Sequence, residues 1–158
     1  MKYFKEDLVS KCSTTIDDIC WMEYDQAAKK YWSEFREISH NFPEDFCARY
    51  IETAFHDALL KKIEIIVDEN KKGIRHLHIV LEDYANTSIC YDLLFCNISS
   101  FSWSAVFDGE VFYSLLLSEI LPVKNKRFSL SAWFGDQDIL SCEFEKLRYI
   151  YVDSNTHG

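Results

Sequence analysis

Glycine and proline are scarce, four and two residues in a chain of 158. With glycine only at positions 73, 109, 135 and 158, neither a phosphate-cradling loop nor a Gly-x-Ser-x-Gly nucleophile elbow can be assembled. That excludes nucleotide binding by a standard loop. The same shortage, beside 48% hydrophobic and 27% charged residues, excludes a disordered, collagen-like or linker-rich chain. Nowhere do about 18 apolar residues run together as a membrane helix needs. The opening Met1-Lys2-Tyr3-Phe4-Lys5-Glu6-Asp7 is charged where a signal peptide requires an apolar core, so a cytoplasmic protein without a membrane segment is expected. The six cysteines form no Cys-x-x-Cys pair, which removes the usual zinc and redox spacings. In a reducing cytosol they read as buried small hydrophobes. Basic residues are also few, 17 against 26 acids, and the net charge of −9 argues against a nucleic-acid or anionic-membrane partner while leaving a basic protein open.

What is present fits one domain spanning residues 1–158, with a helical part at about 4–57 and a sheet part at about 60–152. From Asp25 to about His40, Ala27, Ala28, Tyr31, Trp32, Phe35 and Ile38 follow one helix face. A shorter helix is expected within residues 4–22, with Thr15, Asp17 or Asp18 as caps and Ile16, Ile19 and Cys20 turned inward. Pro43-Glu44-Asp45 opens a further helix that should bury Phe46, Tyr50, Ile51 and Ala54 and stop near Asp57. From Leu60 the period becomes two. Strands are expected through Ile63–Val67, Ile74–Tyr84, Ile89–Ile98, Phe128–Phe134 and Ile139–Val152, the last with a bulge near Leu147. The apolar stretch Val111–Leu121, ended by Pro122, reads as a short buried helix inserted before the last two strands. The expected fold class is therefore α+β, N-terminal helices on a mostly antiparallel meander sheet of about five strands.

Few patterns carry chemistry. His76 and His78 share one face of a strand and could chelate a divalent metal with Glu82, the basis of an alternative reading as a small metal-dependent hydrolase. Phe55-His56-Asp57 contains the His-Asp dipeptide of metal-dependent phosphohydrolases, but strands follow where those enzymes continue an all-helical bundle. A cysteine nucleophile served by His56 or His40 has no spacing to support it. No cofactor is implied. Charge placement says more. From His76 to Val123 there are six acids, Glu82, Asp83, Asp92, Asp108, Glu110 and Glu119, and neither Lys nor Arg. Aromatics interleave with them, and Ser-rich Phe101–Asp108 reads as a loop. Glu82, Asp83, Tyr84, Asp92, Phe101, Trp103, Phe107, Asp108 and Glu110 are the candidate partner-binding residues, acids to steer a basic partner and aromatics to anchor it.

The opening Met1–Phe4, the junction Phe55–Glu64, Leu94-Phe95, the Asp-Gly-Glu segment leading to Ser118-Glu119-Ile120, and Trp133-Phe134 with Leu140–Phe144 together resemble a family of small uncharacterised bacterial cytosolic proteins. That family carries no established catalytic residues, so the resemblance implies little chemistry. By class, a small acidic α+β protein is also similar to the immunity proteins of bacterial polymorphic and contact-dependent toxins. Those bind and block a cognate toxin domain, often a basic nuclease, and the similarity implies a non-enzymatic, toxin-neutralising binding protein. A homodimeric scaffold paired through a sheet edge is a further alternative.

Overall fold

The computed structural model describes residues 1–5, 8, 18–104, 114–135 and 138–153, with Asp18 and Asp138 described through their backbone alone. Helix α1 spans Asp18–Ile38 and buries Tyr31 and Phe35 completely, as the three- and four-residue spacing requires. It passes through Asp25 unbroken. Of the earlier helix expected within 4–22, Thr15, Ile16 and Asp17 lie outside the described residues; Cys20 is buried, but Ile19 is 65% exposed. A 3-10 turn, Ser39–Asn41, leads to α2, Glu44–Thr53, whose first turn carries Glu44 and Asp45 at the positive end of its dipole. Phe46 and Tyr50 are buried as expected, and the helix ends at the left-handed Ala54 (φ 50°), before Asp57. Among the described residues no helix is long and apolar enough to cross a membrane.

Among the described residues eight strands follow, and they form two sheets where one was expected. They are β1 (Leu59–Val67), β2 (Arg75–Glu82), β3 (Ile89–Cys96), β4 (Ser100–Trp103), β5 (Leu115–Val123), β6 (Arg127–Phe134), β7 (Asp138–Phe144) and β8 (Lys146–Asp153). All pairings are antiparallel, in the orders β1-β2-β3-β8 and β4-β7-β6-β5. Three expectations are corrected by this topology. The stretch 115–121 is strand and not helix, because Leu115, Leu117, Ser118, Glu119 and Ile120 are buried on both faces of β5, and a doubly buried strand has no alternation to betray it. The single last strand is two: the chain bends at Glu145 and crosses from one sheet to the other, so the shifted pattern at Leu147 marks a sheet change instead of a bulge. Finally, part of the Ser-rich loop is β4, paired to β7.

The inner faces meet in one core. β2 buries Leu77, Ile79 and Leu81, and β3 buries Tyr91, Leu93 and Phe95, both in strict alternation. Phe95 packs edge-on against Phe144 of the second sheet with centroids 5.0 Å apart, while α2 inserts Phe46 and Tyr50 beside Phe55 further along. Burying each such aromatic stabilises the fold by about 1.5–3 kcal/mol.

One end of this core is polar. Glu119 is 1% exposed, and its carboxylate accepts backbone N–H bonds from Lys2, Tyr3 and Phe4 at 2.7, 2.8 and 2.6 Å. Lys2 Nζ and Tyr3 Oη both reach Glu34 on α1. Beneath this strap, Tyr31 Oη accepts the Ile120 N–H at 2.9 Å and lies 2.7 Å from Tyr50 Oη, which donates to the Ser118 carbonyl at 3.0 Å. Burial pushes both phenols up. Cysteine usage departs from the reading of six reduced, buried thiols. Cys20 is disulfide-bonded, Cys47, Cys90 and Cys96 are half-buried and free, and Cys142 is buried and free.

Candidate functional site

The outer face of the first sheet is where most of the charged candidates gather. On β2 the residues facing away from the core are His76, His78, Val80 and Glu82, because Leu77, Ile79 and Leu81 take the other side. Antiparallel register sets His78 opposite Glu64 of β1 and Val80 opposite Asp92 of β3. The two ring nitrogens of His78 consequently sit 2.8 Å from Glu64 Oε1 and 2.9 Å from Asp92 Oδ1. Hydrogen bonds from His78 and Lys62 hold the Glu64 carboxyl below its ordinary range.

This array removes support from the metal reading of His76, His78 and Glu82. With a carboxylate against each nitrogen, His78 has none left to ligate. His76 Nδ1 accepts the Asn97 N–H at 3.3 Å, and Glu82 is 3.3 Å from Lys61 Nζ. Among the described residues no group of three His, Cys, Asp or Glu side chains is arranged to hold a metal. Burial pushes the Cys47 and Cys96 thiols up and takes Cys142 up to about 12, which makes each of these three a poorer nucleophile. His56 pairs with neighbouring Asp57 at 2.9 Å, and His40 lies 3.1 Å from Asn41 Nδ2.

The six candidate partner residues among those described do not form one surface. Glu82, Asp83 and Tyr84 stand together where β2 turns into β3. Burial works against the Asp83 charge, but hydrogen bonds from Tyr91 Oη at 2.6 Å and from the N–H groups of Asn86 and Ala85 outweigh it and hold the carboxyl low. Tyr84 is 71% exposed. Asp92 is half-buried on the same sheet. Phe101 and Trp103 belong to β4 in the other sheet, beyond the opposite end of the eight-residue β2, at roughly 3.3 Å per residue more than 20 Å away. There the register sets them opposite Cys142 and Leu140; Trp103 is half-buried against the core, whereas Phe101 is 39% exposed. Phe107, Asp108 and Glu110 lie outside the described residues.

What joins the Glu82–Tyr84 end is a set of residues the sequence reading missed. β8 is one edge of the first sheet, with no strand beyond it among the described residues, and Ile150, Tyr151 and Val152 on it are 60%, 42% and 45% exposed. Ile150 pairs with Asp92 and Val152 with Cys90, itself opposite Glu82, so these apolar residues continue the acidic rows. A cleft of about 640 Å³ runs between β8 and α2, with Asp45, Arg49 and Glu52 on the helical side and Tyr149, Ile150 and Tyr151 on the strand side. The Arg49 guanidinium lies over the Tyr91 and Tyr151 rings, 5.7 and 5.9 Å from their centroids, and 3.4 Å from Glu52. A signal for this surface exists in the sequence: Tyr149–Val152 is apolar on both faces, although the strand before it alternates.

Comparison with protein-family models, with curated proteins and with solved structures finds no match.

Proposed function

We propose that this chain is a non-catalytic binding protein that takes a basic protein partner, in the manner of a bacterial immunity protein covering a cognate toxin domain. The observation that carries the reading is the exposed apolar edge Ile150-Tyr151-Val152, set among Glu82, Asp83, Asp92, Asp45 and Glu52 with Arg49 and Lys61 as the cations between them. Large apolar side chains supply affinity on desolvation, and a surrounding field of one sign selects and steers a partner of the other. The likeness to immunity proteins is one of size, charge and class. A bacterial cytoplasmic location belongs to the same proposal, and the disulfide at Cys20 is the feature that sits least easily with it.

The test is a kinetic binding measurement against an effector domain encoded by a neighbouring gene. Association should slow at least about tenfold between roughly 0.05 and 0.5 M salt, and Tyr84→Ala with Glu52→Lys should weaken the complex further. Absence of salt-sensitive binding overturns the proposal.

A further inference from the structure

Natural sheets guard their free edges, since an unpaired row of N–H and C=O groups will template another strand. Three of the four edges here are guarded. β4 is only four residues long. β5 contains Pro122, has a register break between Leu115 and Leu117, and is held under residues 2–4 and α1. β1 is broken by a register shift between Leu60 and Lys62, and Lys61 and Lys62 stand at the break. Its far end does bare Ile65, Ile66 and Val67, where the hairpin it enters mixes Asp68 and Glu69 with Lys71, Lys72 and Arg75. β8 has none of these devices through its second half: its pairing with β3 is unbroken over eight positions, it lacks proline, and its two cations, Lys146 and Arg148, are confined to its first three residues.

From this contrast, and resting on the reading above, we propose that the basic partner docks by adding an extended segment as a fifth strand to the free edge of β8. The cleft beside α2 gives that strand room along Tyr149–Tyr151. A strand laid there alternates its side chains between two environments. One set faces α2, where Glu52 is already paired with Arg49 and Asp45 is the acid left for a lysine or arginine; the other extends the outer face past Ile150 and Val152, where a β-branched apolar residue is favoured. The recognised segment therefore alternates basic and β-branched residues. Main-chain hydrogen bonds supply a sequence-independent share of the affinity, and the alternation supplies the selectivity.

The probe is an eight-residue peptide alternating Lys and Val, offered to the full-length protein, with the same peptide N-methylated along its backbone as control. N-methylation keeps every charge and side chain but removes the donors a strand needs. The expected result is salt-sensitive binding of the parent peptide, at least about tenfold weaker binding of the N-methylated one and of the parent to Ile150→Lys protein, and slowed amide exchange along β8. Equal binding of the two peptides overturns strand addition while leaving a basic partner in place. If neither peptide nor the effector domain binds with salt sensitivity, the underlying binding reading fails. A concentration-dependent dimer without peptide, lost in Ile150→Lys, assigns the edge to a second copy of this chain and also overturns the proposal.

Discussion

β5 and β8 are both sheet edges, and they have been finished in opposite ways. On β5, every device that hides an edge is used at once: proline, a register break, a helix, and a strap whose three amides converge on one buried carboxylate. On β8, apolar side chains stand in solvent beside an open cleft. The difference teaches where stability and recognition have been separated. Glu119 and the tyrosines under it hold the fold together, whereas Ile150 and Val152 of β8 stand on the outer face away from the core.

Substitutions can break that contrast. Glu119→Gln is expected to have the largest effect, about 2–4 kcal/mol of lost stability in a denaturant titration, because charge-assisted bonds are replaced and one amide loses its acceptor. A loss no greater than that of Ile150→Lys would erase the distinction between the edges. Tyr50→Phe should cost about 1–2 kcal/mol at neutral pH, since the Ser118 carbonyl and Tyr31 Oη are left underpaired. That cost has a sign with pH. Burial raises the Tyr31 and Tyr50 values in the folded state, so their contribution is complete below the ordinary tyrosine value of about 10 and is lost as pH rises through the raised values. The Tyr50→Phe penalty should therefore shrink in unfolding curves recorded above about pH 10.

At low pH the two ends respond together. Hydrogen bonds from Lys2 and Tyr3 hold Glu34 low, and those from Tyr91, Asn86 and Ala85 do so for Asp83 despite its burial. A lowered folded value gives stability that is present above about pH 4 and lost as pH falls through it. Glu34→Gln should flatten acid unfolding measured at the strap, and Asp83→Asn at the β2–β3 turn. The smallest expected change is that of Ile150→Lys on stability, within about 0.5 kcal/mol in the same denaturant titration, because the side chain is already in water. A larger loss would show β8 to be core in disguise.

Legibility in the sequence followed burial geometry. β2 and β3 could be read because Leu77-Ile79-Leu81 and Tyr91-Leu93-Phe95 are buried on one face and polar on the other. Tyr31, Phe35, Phe46 and Tyr50 could be read for the corresponding helical reason. β5 could not, since burial on both sides erases the period, and Pro122, which looks like a helix stop, stands at an exposed edge position that tolerates it. Nor could the partition of residues 139–153 between two sheets, because a one-residue bend at Glu145 leaves only a change of phase. For the candidate surface, the acids Glu82, Asp83 and Asp92 were legible from the lack of cations around them. Ile150 and Val152 were not, because reading β7 and β8 as one strand hid the fact that β8 is an edge.

The carboxylate of Glu119 also has a consequence in time. Residues 2–4 leave the ribosome well before residue 119, and at 5–20 residues per second their acceptor is roughly 6–23 s late. Through that interval residues 2–4 lack the carboxylate on which their amides close. The strap accordingly closes only once β5 has emerged, ahead of β6, β7 and β8, and α1 waits for β5 before its inner face is sealed.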